Sequence, residues 1–350
     1  MGTTTVTTAT EVVLPGKVEV AGLQIRTRTL PAPAAGQVVL SMDATGVSFA
    51  EQQMRLGKYF SQPPFPFVPG YDVVGTVTTT GPDVDPALAG RRFAAVTKVG
   101  SWASAQVLAA ADLVAVPDGV SAAAAETVAV NGVTAWQMLH RNTTVRAGGT
   151  IVVLGANGGV GSTLAQLARH AGITVLGTAS PRHHAALREL GVTPVDYHDP
   201  QMYRKLRELA PDGVDAVFDH VGGAGVADSW RLLRRGGTLV SYGTAASKDT
   251  EGNSQLPVLR LFARLALWNL LPNGKSARFY NFWAGKRRLN TFRARLREDL
   301  TQVLRLVESG VLRPQIAAEF PLSDAGAALA LAESRTVAGK VVIVADPGRP

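Results

Sequence analysis

The sequence predicts an α/β protein in which a doubly wound parallel sheet accompanies a second domain of short strands. From Thr150 onwards, short apolar runs alternate with helical patterns, which is typical of βαβ crossovers and a parallel sheet. These runs are almost entirely apolar, as expected when helices cover both faces of the sheet. Before about residue 120, β-like runs are separated by Gly and Pro, which favours a barrel or sandwich.

The elements of the parallel sheet can be assigned in chain order. An alanine-rich helix is predicted after the N-cap residue Ser121. The pattern then predicts strands at 150–155, 173–178, 193–196, 214–219 and 237–242, with helices at 160–171, 182–190, 200–209 and 225–234. Two further helices are predicted at 256–272 and in "FRARLREDLTQVLRLVESG", where Gly310 is a good residue to follow a helix end. A strand, a helix and a strand close the chain.

Composition excludes several classes of chemistry. The 350 residues include no cysteine, which removes disulfides, thiolate catalysis and cysteine-ligated zinc. None of the six histidines forms an H-E-x-x-H motif. We find no stretch long and apolar enough for a transmembrane helix and no secretory signal, and we expect a cytoplasmic protein. The net charge of +8 is concentrated between residues 256 and 313, a segment that contains twelve Lys or Arg and only three acids.

A glycine-rich turn after the first strand predicts a dinucleotide site. Ala156-x-Gly158-x-x-Gly161, with Gly159 and Val160 inside it, follows a strand and opens a helix. Gly158 would let the backbone approach a pyrophosphate, Gly161 would let the helix pack on the strand, and free N–H groups at the helix start would face the phosphates. The alternative is a tight packing turn that holds no ligand.

The residues after the second strand favour NADP over NAD. An NAD site usually has Asp or Glu there to bond the ribose 2′-hydroxyl. This chain has Thr178, Ser180 and Arg182 instead, which offer hydroxyls and a guanidinium to a 2′-phosphate. Ser180 is also a plausible cap of the next helix, with Pro181 at its first position.

Seven stretches, in this order, resemble the medium-chain dehydrogenase/reductase superfamily and its zinc-free quinone oxidoreductase branch. They are "GVSFAEQQMRLGKY", "PFPFVPGYDVVGTV", "VNGVTAWQML", "VVLGANGGVGSTLAQLA", "DAVFDHVGG", "GGTLVSYG" and "GKVVIV". The resemblance implies a GroES-like catalytic domain of β-barrel type at 1–128 and 314–350. It also implies a Rossmann NADP-binding domain at 129–313, with the basic segment 248–300 inside it.

The resemblance also implies roles for individual residues. Zinc-dependent relatives have Cys where Ser48 stands, a His-Glu pair where Tyr71-Asp72 stands and a four-cysteine loop, so we expect no metal here. Tyr59 matches a tyrosine of the substrate cleft and is the expected catalytic residue, with a core aromatic as the alternative. The expected cofactor contacts from the resemblance are Ser48, Asn131, Thr134, Tyr197, Val221, Gly222, Tyr242, Gly243, Thr244 and Lys340, of which Lys340 has a solvated lysine as its alternative reading.

The resulting hypothesis is an NADPH-dependent oxidoreductase that transfers hydride to a quinone or to the C=C bond of an α,β-unsaturated carbonyl, with a proton from Tyr59 or water. An enoyl reductase of acyl thioesters is the close alternative. A non-catalytic partner or membrane-surface module, with the basic helix of Arg260 and Arg264 as its contact, is another. We expect a homodimer formed through "ARFYNFW", no nucleic-acid partner, and Phe279, Tyr280, Phe282 and Trp283 as packing rather than cleft residues.

Overall fold

The computed structural model describes residues 7–59, 62–243, 255–334 and 336–348. It divides into two compact units: the first comprises the described residues up to Val133 and from Arg287 onwards, and the second comprises Thr134–Lys286. The sequence-based division placed the boundaries at 128/129 and 313/314 instead. The second boundary differs because the long helix after Arg287 is fixed to the first unit, where the Arg293 guanidinium donates to both carboxylate oxygens of Asp112 at 2.7 and 3.1 Å.

The strands and helices have the following bounds. The strands are β1 (Thr8–Val13), β2 (Gln24–Thr29), β3 (Gln37–Val47), β4 (Asp72–Thr80), β5 (Arg92–Val96), β6 (Ala105–Ala109), β7 (Val114–Ala115), β8 (Thr150–Val153), β9 (Thr174–Ala179), β10 (Thr193–Asp196), β11 (Val214–Asp219), β12 (Leu233–Ser241), β13 (Ser276–Phe279), β14 (Ile316–Pro321) and β15 (Lys340–Val344). The helices are α1 (Phe49–Arg55), α2 (Ala122–Asn142), α3 (Gly159–His170), α4 (His184–Glu189), α5 (Met202–Leu209), α6 (Val226–Leu232), α7 (Gln255–Asn269), α8 (Leu289–Glu308) and α9 (Ala325–Ser334).

The second unit contains the predicted parallel sheet. Its strand order is β10-β9-β8-β11-β12-β13, and every neighbouring pair is parallel. This is the doubly wound order in which the chain reverses direction between β8 and β11, where ligands bind at the carboxyl ends of the strands. The predicted strands at 193–196 and 214–219 coincide with β10 and β11, whereas the predicted strand 237–242 begins earlier, at Leu233.

The first unit contains the predicted domain of short strands. Its main sheet has the order β14-β15-β3-β4-β5-β7, β6 also pairs with β3, and β1 and β2 form a separate antiparallel ribbon. The core surrounds Trp102, which is fully buried and donates its indole N–H to the Gly46 carbonyl at 3.0 Å. Strand β15 pairs with β3, and this pairing carries Lys340, from the end of the chain, into the interior.

The aromatic segment after residue 276 forms only a short strand. β13 ends at Phe279, and the two following aromatics turn inwards: Tyr280 and Phe282 are each 8% exposed. The Tyr280 hydroxyl donates to the Gln137 side chain at 2.9 Å. These contacts support the packing interpretation of Tyr280 and Phe282, and they limit any strand pairing by this segment to residues 276–279. Over the described part of the chain, no helix combines the length and the apolar character needed to cross a membrane.

Candidate functional site

The turn between β8 and α3, residues 155–161, which we call the glycine turn, has the geometry of a nucleotide-binding turn. Gly155 adopts a φ of +68°, so the chain reverses directly after the strand. Sequence reasoning began the fingerprint at Ala156 and missed Gly155. Ala156 is instead fully buried, and its N–H donates to the Thr178 carbonyl of β9 at 2.9 Å. The position of Gly155 directly after the apolar run was the available signal.

Two glycines of the turn have different roles: one allows close packing and the other borders an open surface. A Cβ on Gly161 would lie 2.3 Å from the Gly155 carbonyl oxygen and 2.9 Å from the Ala156 Cα. Gly161 therefore allows the close approach of α3 to the strand. A Cβ on Gly158 would meet only the Gly155 carbonyl oxygen, at 3.4 Å, and otherwise open space. The turn thus keeps an open surface beside the first N–H groups of a 12-residue helix, which fits the pyrophosphate of a dinucleotide.

The end of β11 supports the glycine turn from its other side. The His220 Nδ1 lies 3.0 Å from the Leu154 carbonyl oxygen, and the ring lies against Gly155, where its Cε1 is 2.3 Å from the position of an added Cβ. Asp219 is fully buried; it accepts from the N–H groups of Val221 and Gly222, both at 2.8 Å. Sequence reasoning assigned no role to His220 or Asp219; the partner of His220 follows another strand, β8, and the bonds of Asp219 depend on the conformation of the turn after β11.

The residues expected at a 2′-phosphate lie at the end of β9 and just beyond it. Thr178 is 3% exposed, and its hydroxyl accepts from the Gly155 N–H at 3.0 Å. Ser180 precedes a short 3₁₀ turn that begins with Pro181, as the cap interpretation predicted, but its side chain makes no capping bond there. Arg182 is exposed, and its Nε lies 3.1 Å from His183 Nε2.

A carboxylate is present on the neighbouring strand. Asp196 of β10 is opposite Ala179 of β9, and its Oδ1 accepts from the His198 N–H at 2.9 Å. Tyr197, the expected adenine contact, is 50% exposed, and its ring is tilted by 36° against the His198 ring with 4.0 Å between centroids. Its side chain is therefore accessible to a ligand at this edge of the sheet.

The turns expected near the nicotinamide follow β11 and β12. Gly222 has a φ of +68°, and Gly243 packs against the His220 backbone. The Tyr242 N–H donates to the Asp219 carbonyl at 2.9 Å, and burial raises the pKa of the Tyr242 hydroxyl, with a further contribution from the Asp219 carboxylate. Thr244, also expected here, lies outside the described residues. Asn131 and Thr134 of α2 are 9% and 7% exposed, so little of either side chain is open to solvent.

Tyr59, the expected catalytic residue, is paired with a second tyrosine of the first unit. Its hydroxyl lies 2.9 Å from the Tyr71 hydroxyl, and the two rings meet edge to face with 6.2 Å between centroids. Tyr59 is partly exposed, whereas Tyr71 is 5% exposed. The pair can hold a proton at the partly exposed hydroxyl. Sequence reasoning considered Tyr71 only as a replacement for a metal ligand and missed this contact.

Ser48 serves as the N-cap of α1. Its hydroxyl contacts the Glu51 carboxylate and accepts from the Ala50 N–H at 3.1 Å, while Glu51 in turn accepts from the Ser48 N–H at 2.8 Å. This reciprocal capping box satisfies the first turn of the helix. Burial raises the pKa of the Glu51 carboxyl, and the nearby Asp72 adds to that effect.

Lys340 lies in a buried group of charges that we call the charge cluster: Asp72 on β4, Glu126 on α2 and Lys340 on β15. These side chains are 1%, 0% and 3% exposed. The Lys340 ammonium lies 3.0 Å from Asp72 Oδ2 and 2.5 Å from Glu126 Oε1. The solvated alternative for Lys340 is therefore wrong. Sequence reasoning did not identify Glu126, because an acid in an alanine-rich helix carries no pattern.

The protonation of the charge cluster follows from its composition. One ammonium faces two carboxylates, and Asp72 also accepts from the Val130 N–H at 3.3 Å. Burial raises the pKa of Glu126 well above its usual value, and Asp72 raises it further, although Lys340 opposes both effects. The two carboxylates raise the pKa of Lys340 against the effect of its burial. Lys340 is therefore charged, and burial favours the protonated form of Glu126.

The side chains at the positions of the zinc ligands in zinc-dependent relatives are bonded within the chain. Ser48 caps α1, Tyr71 pairs with Tyr59, and Asp72 pairs with Lys340. Among the residues that the structure describes, no group of three or more His, Cys, Asp or Glu side chains is arranged to hold a metal ion.

Comparisons with known proteins agree with this architecture. Residues 34–140 match the family model for the alcohol dehydrogenase GroES-like domain, and residues 190–343 match the model for zinc-binding dehydrogenase. The chain is 31% identical over 332 residues to the synaptic vesicle membrane protein VAT-1 homolog of Rattus norvegicus, covering 93% of this chain and 81% of that protein.

Two solved mycobacterial structures share the fold. One is described as a quinone oxidoreductase and is 26% identical, with a TM-score of 0.78 and coverage of 96% of this chain and 99% of that one. The other is complexed with NADPH and is 26% identical, with a TM-score of 0.80 and the same coverage. Together with the two-part architecture and the glycine turn, these matches establish the family. The chain belongs to the medium-chain dehydrogenase/reductase superfamily of oxidoreductases that use a nicotinamide nucleotide.

Proposed function

We propose that this chain is an NADPH-dependent, metal-free oxidoreductase that reduces a quinone or the C=C bond of an α,β-unsaturated carbonyl. The observation that carries the proposal is the open glycine turn, together with hydroxyl and guanidinium groups in place of a carboxylate at the end of β9 and just beyond it. The mycobacterial relatives named as a quinone oxidoreductase and as a complex with NADPH support the reaction class.

Each part of the second unit would have a separate role in holding the nucleotide. Residues 158–161 would face the pyrophosphate, and Tyr197 would lie beside the adenine. Ser180 and Arg182 would bind the 2′-phosphate, since the Ser180 side chain is not used to cap the following turn and the Arg182 guanidinium is exposed. Thr178 would act indirectly, because its hydroxyl already holds the Gly155 N–H.

NADPH, when bound, supplies the hydride, so the chain has to position the substrate and provide one proton. Reduction of a quinone to a hydroquinone consumes one hydride and one proton in total: the hydride supplies two electrons and the hydrogen of one hydroxyl, and the proton completes the other hydroxyl. In an α,β-unsaturated carbonyl the hydride adds to the β-carbon, and the proton goes to the enolate oxygen. The Tyr59 hydroxyl is partly exposed and lies 2.9 Å from that of Tyr71. We assign Tyr59 as the donor to the substrate oxygen and Tyr71 as the residue that orients it.

The absence of a metal requirement rests on the partners of Ser48, Tyr71 and Asp72. A Lewis acid at this position would need side chains that are free to coordinate it. Here a helix cap, a tyrosine pair and an ion pair use those atoms instead. Dialysis against a chelator is therefore expected to leave turnover unchanged, and a loss restored by zinc would contradict this part of the proposal.

The direct test follows the absorbance of reduced nicotinamide while the protein is mixed with a panel of quinones, enones and short enoyl thioesters. NADPH oxidation with quinones or enones is expected, with NADH less effective. Turnover with thioesters alone would favour the enoyl reductase alternative. If no substrate of the panel oxidises NADPH although calorimetry shows that NADPH binds, the catalytic proposal is rejected and only nucleotide binding is left.

Two substitutions separate binding from chemistry. Arg182→Gln is expected to raise the KM for NADPH by about tenfold and to leave the KM for NADH nearly unchanged, since one charge-assisted contact to phosphate is removed.

Tyr59→Phe is expected to lower kcat by about a hundredfold with little change in NADPH affinity. The matched control is Tyr203→Phe, whose hydroxyl donates to the Gly225 carbonyl at 3.0 Å. Equal kinetics for Tyr59→Phe and the wild type would remove Tyr59 from the mechanism.

We also propose that the protein is a homodimer in which β13 contributes to the interface. β13 is the outermost strand of its sheet, so one side of its backbone is without a strand partner among the described residues. Light scattering on the purified protein tests this directly, and a monomer at micromolar concentration would contradict it.

A further inference from the structure

The outward side of α7 is apolar, which is unusual for a helix at a protein surface. Ten large apolar side chains are exposed among the described residues, and five of them lie between residues 259 and 271. These five are Leu259 (60% exposed), Phe262 (42%), Leu267 (64%), Leu270 (80%) and Leu271 (47%). We call them, with the exposed Ala263 and Ala266, the apolar face of α7, although Leu270 and Leu271 directly follow the helix, which ends at Asn269. Exposed apolar side chains concentrated in so short a segment indicate an interaction site.

A different side of α7 already packs against the core of the parallel sheet, so the exposed apolar residues are additional to that core contact. Leu261 and Leu265 are 6% and 4% exposed and belong to the core of the parallel sheet, and Trp268 stacks on Trp230 with 4.9 Å between centroids. The helix therefore already buries one side. Because residues three and four apart share a face, Leu259, Ala263 and Ala266 lie on the side turned away from that core. Phe262 is at the border of this side, where its ring meets Phe279 of β13 edge to face with 4.8 Å between centroids.

Positive charges accompany the apolar face, and the segment that contains it carries no acid. Residues 255–286 contain five Lys or Arg and no Asp or Glu. Arg260 and Arg264, one turn apart, are both exposed, and the Arg264 guanidinium lies 6.0 Å from the centroid of the Trp268 ring. Guanidinium groups bind phosphate well because several N–H donors face one anion.

We propose that the apolar face of α7, with Arg260 and Arg264 beside it, is a docking surface for a membrane rich in anionic phospholipid. Such a surface offers acyl chains to the leucines and phosphate groups to the arginines. The helix has 15 residues and is therefore about 22 Å long, which is short of the ~30 Å hydrocarbon core. It lies along the membrane surface rather than across it.

Charge distinguishes this partner from a second copy of the chain. In a two-fold contact, the same surface meets itself. The arginines of two apposed α7 helices would then face each other, and α7 offers no carboxylate to compensate them. This repulsion concerns the apolar face of α7 and not the edge of β13, which is the part of the chain in the proposed dimer interface. An anionic lipid surface complements both the charge and the apolar character, so it is the occupant to which we commit.

The test is flotation of the full-length protein with lipid vesicles. Vesicles of phosphatidylcholine alone are compared with vesicles containing about 30% phosphatidylserine. We expect binding to the anionic vesicles, weaker binding to the neutral ones, and a decrease in binding as salt concentration rises. No binding to the anionic vesicles, or equal binding to both kinds, would overturn the proposal.

Substitutions then locate the surface. Leu267→Glu/Leu270→Glu is expected to reduce vesicle binding at least about tenfold, since two exposed apolar anchors become charged. The matched control is Leu209→Glu, which changes a leucine of α5 that is 50% exposed and outside this face. Arg260→Gln is expected to weaken binding to anionic vesicles about threefold and Arg188→Gln, an exposed arginine of α4, to have no effect. Equal losses for the α7 variants and their controls would overturn the assignment.

Two measurements keep the outcome interpretable. NADPH binding by calorimetry shows that each variant is folded, and it is expected to be unchanged because no residue of the apolar face belongs to the nucleotide site. Light scattering reports the oligomeric state. If Leu267→Glu/Leu270→Glu converts a dimer to a monomer and the wild type does not bind vesicles, the face is covered by a second copy and the membrane proposal is wrong.

Discussion

The glycine turn and the charge cluster stabilise their parts of the molecule by opposite means. The glycine turn works through missing atoms, since a Cβ on Gly161 would lie 2.3 Å from a carbonyl oxygen. The charge cluster works through groups that are present and compensate one another, with the Lys340 ammonium 3.0 Å from Asp72 and 2.5 Å from Glu126. The first region should therefore lose stability when atoms are added, at any pH. The charge cluster should lose stability when a charge is removed, and its contribution to stability should depend on pH.

The largest expected effect is the loss of the paired carboxylate in the charge cluster. Asp72→Asn leaves the buried Lys340 ammonium beside an acid whose pKa is raised, and it is expected to lower the free energy of unfolding by about 3–5 kcal/mol. Glu126→Gln should cost much less, because Lys340 keeps Asp72 as its partner. Urea denaturation monitored by fluorescence measures both. Equal losses for the two variants would mean that the carboxylates share the ammonium equally.

Adding atoms to the glycine turn is expected to have the next largest effect, and it should separate two roles. Gly161→Ala forces α3 away from the strand and is expected to lower the free energy of unfolding by about 1–3 kcal/mol and to weaken NADPH binding. Gly158→Ala adds its methyl group to open space. It should leave stability within about 0.5 kcal/mol of the wild type while weakening NADPH binding at least about tenfold.

Calorimetric titration with NADPH and thermal denaturation test this pair of glycine variants. If Gly158→Ala binds NADPH as well as the wild type does, the open surface of the turn does not face the pyrophosphate. If Gly158→Ala is instead as unstable as Gly161→Ala, the two positions do not differ in packing as the structure indicates.

The pH dependence of stability is the next test, and its sign follows from Glu126. Because burial raises its pKa above 4.5, the folded state holds a proton that the unfolded state has released. The free energy of unfolding is therefore expected to fall as pH rises from about 4.5 towards the folded-state pKa, by at most about 1.4 kcal/mol per pH unit for one proton. Glu126→Gln removes this contribution, so the difference between variant and wild type should grow with pH. Parallel stability curves would contradict the raised pKa of Glu126.

The two regions also differ in how far the sequence predicts them. The glycine turn and its flanking strands were predicted, since all the signals lie within one short stretch and the alternation of strands and helices indicates a parallel sheet through crossover rules. The charge cluster joins residues 72, 126 and 340, which no local pattern connects. Lys340 was identified only through a family resemblance, and Glu126 was not identified at all.

A similar limit applies to side chains at strand ends. The strand β11 was predicted residue for residue, yet the contact of His220 with Leu154 and the bonds of Asp219 to the following turn were not. The His220 contact depends on which strand lies beside β11, which is a property of the sheet order. The Asp219 bonds depend on the backbone conformation of the turn, in which Gly222 has a φ of +68°. Likewise, the basic character of residues 256–313 was evident, whereas the outward apolar face of α7 required the structure, since the periodicity of an apolar helix does not state which side is buried.

The smallest expected effect concerns His220, which connects side-chain contacts to the glycine turn. His220→Ala removes the bond from Nδ1 to the Leu154 carbonyl and the ring that lies against Gly155. NADPH binding is expected to weaken by about threefold to tenfold. This change in the dissociation constant corresponds to the net free energy of one hydrogen bond, here the bond that holds the turn in place. His220→Asn keeps a side-chain N–H donor and should recover part of the loss, which a purely steric role would not predict. The control is His198→Ala, an exposed histidine paired with Asp196. An unchanged dissociation constant for His220→Ala would show that the glycine turn, as its local sequence implies, holds its shape without help from β11.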